Sequence, residues 1–401
     1  MYSQVYSGRE LLDQLIKIHF IINIIMGFIW SIYAPFLKQQ GFTGLEYGIV
    51  ASVSIVTSLI GTLFIGWLVD RYGSSKIISI NLLLYTLSIF ILSLGGFMNT
   101  LYSSILAGLA SSYWIALTTL TSRSVVDTDL DKAFTYTRSS SLFGSSIGSF
   151  LGWLPVLITN YINKPIITSY RAAIALSSIL IIPISLYSLR LREDLAVVEE
   201  EKEERISIDR RLMKTFLKLS IIQIIIGFGA ALSIHNIDYY FVLKYAVSSG
   251  ELGSAFGIEN FFLALLMLYM PRFSKKVGGP LKAYLFATSP SIPLIIAITL
   301  TNHYGIAVGL FIARTILMNV SSPLYEAFQM SLLPISYRGR GSAILSLAWT
   351  LPTSIARGIG GYLLDINIEL PLRLTAILYT SALALLAVLF PEHFKSRESL
   401  G

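Results

Sequence analysis

The sequence predicts an all-α polytopic membrane protein, with twelve transmembrane helices forming two pseudo-symmetric six-helix bundles. Three observations predict it. Hydrophobic residues make up 54% of the 401 and charged residues only 13%, with a mean hydropathy of +0.69, outside the range of a soluble chain of this length. Apolar stretches of about 20 residues, enough to cross a ~30 Å hydrocarbon core, recur from end to end. The basic residues are strongly sided when these stretches are read as successive crossings.

The expected spans are 14–37, 45–69, 77–97, 101–123, 135–158 and 168–189, then 214–241, 251–272, 281–301, 304–330, 342–365 and 372–390. With the N-terminus inside, the inner segments collect Arg71, Lys76, Arg123, Arg138, Arg190, Arg192, Arg210, Arg211, Lys275, Lys276, Arg338 and Arg340 among others, whereas the outer segments hold Lys38, Lys164, Arg171, Lys244 and Arg373. This positive-inside pattern predicts cytoplasmic termini. It also explains the net charge of +7 by topology and the anionic inner leaflet, so no nucleic-acid partner is expected. The polar opening "MYSQVYSGRELLDQ" leads into a span too long for a signal-peptide core, so the first span is expected to be its own insertion signal in the plasma membrane. With no cysteine and only four scattered histidines, disulfides, thiolate metal sites and a metal cofactor are not expected; no other cofactor is either.

The only long charged stretch, "LRLREDLAVVEEEKEERISIDRRLMK", separates six spans from six. It predicts an N-terminal bundle over 1–190, a cytoplasmic linker over 191–210 and a C-terminal bundle over 211–401. Sliding the chain by about 205 residues superposes Glu46 and Gly48 on Glu251 and Gly253, and Gly73 on Gly278, at matching ends of spans 2 and 8, so the halves read as repeats. Parallel six-span repeats with midplane binding between them are a transporter architecture.

Between spans 2 and 3 stands "GWLVDRYGSSK". Gly66 and Gly73 permit close approach and a tight turn, Asp70 can accept from backbone N–H groups, and Arg71 and Lys76 hold the inner-leaflet side. The stretch resembles the G-x-L-x-D-R-x-G-x-x-(K/R) loop of the major facilitator superfamily, matched by Gly66, Leu68, Asp70, Arg71, Gly73 and Lys76 at the corresponding place in a twelve-span chain. The resemblance extends over the whole chain and implies alternating access, with this loop as a conformational latch. The family's Asp often lies near an Arg at the inner end of span 4, where this chain has Arg123. A plain charged anchor is the competing reading of the turn. In the second half Lys275 replaces the Asp, so that copy is degenerate.

Ionisable residues at membrane depth cost several kcal/mol unless paired or hydrated, so they are functional candidates. Glu259, Arg314 and Arg357 lie eight, eleven and eight residues from the outer ends of spans 8, 10 and 11, roughly 12–16 Å deep. The two guanidiniums can offer bidentate donors to an anionic or acceptor-rich solute, with Glu259 as counter-ion and proton carrier; an internal ion-pair network that fixes the spans or gates the outer side is the alternative. His235 and Asp238, near the outer end of span 7, are a candidate proton relay. Glu326 reads as an inner latch or proton site, and His19 as a helix-end interfacial residue. In the first half Asn23, Trp30 and Tyr113 are candidate solute contacts, though Trp and Tyr in spans also serve as packing and interface anchors.

Span 5 carries Gly144, Gly148 and Gly152 every four residues, a stripe for close helix packing. The family's antiporters end the related signature in Gly-Pro, where this chain has Ser149. Span 4 has Gly108, but Ser104 stands where many members carry an Arg linked to proton coupling. "GSSIG" satisfies G-x-S-x-G around Ser146, yet no strand-to-helix elbow or adjacent His accompanies it, so a serine hydrolase is not expected. The expectation is a monomeric secondary transporter, a symporter, moving a small polar or anionic organic solute with protons. The alternative is an exporter of amphipathic drug-like compounds.

Overall fold

A computed structural model describes residues 2–125, 130–191, 210–267, 270–277, 279–334 and 338–391, and among these the regular secondary structure is all helical, joined by short turns. Among the described residues, helical segments occupy the twelve expected crossings, α1 (Tyr2–Gln39), α2 (Gly44–Tyr72), α3 (Ser74–Leu94), α4 (Phe97–Arg123), α5 (Lys132–Ile162), α6 (Ile166–Ser188), α7 (Leu212–Tyr245), α8 (Ser249–Met267), α9 (Pro280–Leu300), α10 (Tyr304–Ser331), α11 (Arg338–Ile366) and α12 (Leu370–Leu389), with a further short helix at Met270–Val277 after α8. Ten are long and apolar enough to cross a bilayer, with mean hydropathies of 1.2 to 2.2. The other two, α8 and α11, are more polar because they carry Glu251, Glu259 and Asn260, and Arg357. Large apolar side chains such as Leu63, Leu300 and Val388 point outward, as a lipid-facing surface requires.

Several spans are interrupted near their middles. In α5 the turn at Leu151–Gly152 precedes Pro155, which cannot donate to the Leu151 carbonyl; the Leu154 N–H takes that oxygen instead, at 2.9 Å. In α10 the break at Val320–Ser321 precedes Pro323, and in α9 it falls at Ser289–Pro290. In α4 no proline is present; Ser111 and Ser112 donate their hydroxyls back to Gly108 and Leu109 at 2.6 and 3.0 Å, which favours a local turn. In α7 the helix tightens into a 3-10 turn at Ile234–Asn236. By contrast α11 runs unbroken through Pro352.

The repeat has a physical basis at the starts of α2 and α8. Thr43 N–H donates to Glu46 Oε2 at 2.9 Å while Glu46 N–H donates to Thr43 Oγ1 at 3.2 Å. Ser248 and Glu251 make the same two bonds at 2.8 and 3.3 Å. The superposed glutamates are thus the acidic members of two capping boxes, each satisfying otherwise unpaired N–H groups where a span begins.

Contacts group the chain into two compact units: Met1–Glu200 with Phe241–Ala264, and Glu201–Tyr240 with Leu265–Gly401. In the first, α1 packs on α5 at the closest approach glycine allows. A Cβ at Gly27, Gly144 or Gly148 would stand 2.2, 2.3 or 1.9 Å from the carbonyl oxygens of Ser145, Phe20 and Ile24. The glycine stripe is therefore a backbone-to-backbone contact between two spans. In the second unit α7 packs mainly on α11 and α12; the carbonyl of Leu232 lies 2.0 Å from where a Gly360 Cβ would be.

Candidate functional site: a cavity around a buried arginine

The second unit encloses a cavity of about 660 Å³ bounded by residues of α7, α9, α10, α11 and α12. Helical periodicity builds its walls. Gln223, Ile226, Ala230 and Ile234 recur along one face of α7, Ser342, Leu345 and Trp349 along one face of α11, and Met318, Ser322, Tyr325 and Gln329 along α10. Gln223, Glu326, Gln329, Ser342 and Ser346 are among its polar lining residues, and Ile226, Ala230, Ile234, Met318, Tyr284 and Tyr379 among its apolar and aromatic ones.

Arg314 is 1% exposed. Its Nη2 donates to the Tyr379 hydroxyl at 3.2 Å, its guanidinium carbon lies 5.5 Å from the Tyr379 ring centre, and its Nε has no hydrogen-bond partner. Among the described residues no carboxylate pairs with it. A buried cation without a counter-ion is costly, so a compensating anion, water or dipole belongs beside it. Two further donors share the cavity. Tyr325 Oη and Gln329 Nε2 are buried and make no hydrogen bond of ordinary length and angle, while Gln223 Nε2 reaches Gln329 Oε1 only at 3.5 Å. Tyr325 is stacked on Tyr284, with ring centres 4.5 Å apart and planes 17° off parallel. Arg314 Nε, Tyr325 Oη and Gln329 Nε2 thus have hydrogen-bonding capacity to spare.

The other candidates fall in different places. His235 lines the same cavity from the 3-10 turn, within Coulomb reach of both Arg357 and Arg314. Asp238 is buried and accepts from the Tyr239 N–H at 2.8 Å. Arg357 does not line the cavity. Its Nε donates to Asn236 Oδ1 at 3.1 Å, and Asn236 Nδ2 donates to the Arg357 carbonyl at 3.2 Å, so this arginine clasps the break in α7. Glu259 is half-buried on α8, in the other compact unit. Of the three deep charges, then, Arg314 alone lines the cavity, joined there by His235 and by Glu326.

In the first unit Asn23 donates to its own helix at His19 O, 2.7 Å away. Trp30 is 48% exposed and meets Tyr33 edge-on at 6.2 Å. Tyr113 is buried, stacked on Trp114 at 5.3 Å. His19, expected at the interface, is instead buried beneath Trp114, with Nδ1 3.2 Å from Ser141 Oγ. At the latch, Arg71 lies 5.3 and 5.5 Å from the rings of Trp67 and Tyr72. Gly73 adopts φ +85° between α2 and α3, a conformation that glycine takes without strain. Lys76 and Arg123 are exposed at helix ends; the side-chain positions of Gly66 and Asp70, and linker residues 192–209, lie outside the described residues. Ser146 donates to the Gly257 carbonyl at 2.7 Å and is buried, a structural bond that accounts for the G-x-S-x-G match without nucleophilic chemistry.

Sequence reasoning passed over Gln223, Tyr284, Tyr325, Gln329, Trp349 and Tyr379. The signal was present on α10, where Ser322, Glu326 and Gln329 recur every three or four residues in an apolar span, but aromatic residues in such spans are common enough to hide the rest.

The family model described as Major Facilitator Superfamily matches residues 18–356. Multidrug resistance protein 2 of Bacillus subtilis is 22% identical over 359 residues, covering 88% of each chain. Among solved structures, a bacterial homologue of the human lysosomal transporter Spinster, inward-facing and unoccupied, aligns with a TM-score of 0.76 at 12% identity over 94% of this chain and 96% of its own. The nucleoside transporter NupG aligns with a TM-score of 0.68 at 14% identity over 96% of this chain and all of its own. At such identities the structural likeness is one of fold, whereas the family match runs through most of the sequence; this integral membrane chain, a transporter rather than an enzyme, belongs to the Major Facilitator Superfamily.

Proposed function

We propose that this protein is a monomeric secondary active transporter of a small polar or anionic organic solute, driven by protons and working by alternating access of 1–190 against 211–401. The observation that carries the reading is Arg314: a buried guanidinium with no carboxylate partner among the described residues and no partner for Nε, in a cavity where Tyr325 Oη and Gln329 Nε2 are likewise unsatisfied. Such a site favours a ligand that brings acceptors and negative charge. His235 and Glu326, which line the same cavity, are the candidate proton carriers, because a group that titrates beside a bound anion ties protonation to occupancy. Glu259, Arg357, Asp238, Asn23, Trp30 and Tyr113 are assigned to supporting or coupling roles, and Gly66, Asp70, Arg71, Gly73, Lys76 and Arg123 to the latch on the inner side. The positive-inside pattern supports cytoplasmic termini in the plasma membrane.

The second reading, an exporter of amphipathic drug-like compounds, is favoured by the 22% identity to a multidrug resistance protein. Proteoliposomes with an imposed pH gradient separate the two. Accumulation of organic anions that collapses with the gradient and in Arg314→Gln supports the first. Movement of hydrophobic cations alone, unaffected by Arg314→Gln, overturns it in favour of the second.

A further inference from the structure

The walls of the cavity narrow the class of solute. Arg314 is the one permanent cation among the described lining residues, so while His235 is neutral a single negative charge is matched, and a second adds to the charge of the Glu326 carboxylate in the same cavity. The lining includes the apolar Ile226, Ala230, Ile234 and Met318, with the Tyr379 ring against Arg314 and Tyr284 and His235 within Coulomb reach of it. A polyol, which needs donors and acceptors on every side, would leave its hydroxyls unpaired there.

Trp349 supplies a recognition surface. It lines the cavity and is only half-buried, and it is held from behind by α7: a Cβ at Gly227 would stand 3.2 Å from Trp349 Cδ2 and 2.9 Å from its carbonyl oxygen. Glycine at 227 lets the two helices close until the indole is pinned, and a pinned ring can be stacked upon with little loss of side-chain freedom. The volume of about 660 Å³ lies within the range of pockets for small organic ligands. Resting on the reading that this cavity binds an anion, we propose that its solute is an organic monoanion built on a flat unsaturated ring, with its carboxylate on Arg314 and its ring against Trp349.

Four probes test this by thermal stabilisation of the purified full-length protein: 2-naphthoate, its saturated decahydro analogue, 2-naphthamide and naphthalene-2,6-dicarboxylate. 2-Naphthoate is expected to bind at least about fivefold more tightly than the saturated acid, the scale of one aromatic contact, and more tightly than the amide and the dianion. Trp349→Leu is expected to erase the preference over the saturated acid while leaving that acid's own affinity in place. Trp349→Phe, which keeps a ring, is expected to retain the preference and serves where the leucine variant fails to fold. Equal binding of the flat and saturated acids overturns the ring assignment and leaves the anion reading standing. A tighter dianion overturns the single-charge assignment. Stabilisation by 2-naphthamide equal to or greater than that by 2-naphthoate overturns the anion reading beneath both.

Discussion

Replacing Gly253 by alanine tests the seam between α8 and α5. A Cβ there would stand 2.0 Å from the Ser149 carbonyl oxygen and 3.1 Å from Ser31 Cβ. The near atom is backbone and cannot rotate away, so relief requires the helices to part by about 1 Å or more, an overpacking that costs about 1–3 kcal/mol. The seam is held by Ser249 Oγ donating to Gly152 O at 2.7 Å, Ser146 Oγ to Gly257 O at 2.7 Å and Trp153 Nε1 to Ser254 Oγ at 2.9 Å. If the strain falls on the closed seam, its opening equilibrium rises about 5- to 150-fold. The chain has no cysteine, so Ser249→Cys creates a single thiol at a fully buried position. The maleimide labelling rate of that thiol should rise at least about fivefold in Gly253→Ala. Gly309→Ala, where a Cβ meets nothing within 4 Å, should leave it unchanged. Equal labelling with and without Gly253→Ala, in protein that remains folded, would refute the argument that this contact keeps the seam shut.

Other consequences follow from single contacts. Thr43→Ala and Ser248→Ala each remove one capping box and should each cost about 1 kcal/mol, visible as similar falls in melting temperature; a fall in only one would mean the boxes are not equivalent. Asn236→Ala removes both bonds of the clasp on Arg357 and should destabilise by about 1–3 kcal/mol. Because Arg357 does not line the cavity, Asn236→Ala should also change anion affinity less than Arg314→Gln does; an equal loss by equilibrium binding would place Arg357 at the ligand.

The fold was legible because the bilayer imposes lengths and sidedness that composition records directly. Even the repeat could be read, since Glu46 and Glu251 mark identical caps. The site was legible only in part. Depth along a span can be counted, and counting found Arg314, but rotation about the helix axis decides which way a charge points. Arg357 turns to Asn236 in the α7 break, a local 3-10 turn that no proline announces. Likewise His19 was placed by its nearness to Lys17 and Asp13 in sequence, whereas packing against Ser141 and Trp114, distant in sequence, buries it. The aromatic wall stayed hidden because Tyr284, Tyr325 and Tyr379 come from three spans that only the tertiary fold brings together.

The central claim is that Arg314 carries the affinity for solute. Equilibrium binding of 2-naphthoate to the purified protein, measured for the wild type, Arg314→Lys and Arg314→Gln, addresses it most directly. The account predicts at least about a tenfold loss in Arg314→Gln, equivalent to about 1.4 kcal/mol, and a smaller loss in Arg314→Lys, which keeps the charge but not the planar fork. Wild-type affinity that persists unchanged in Arg314→Gln would contradict it.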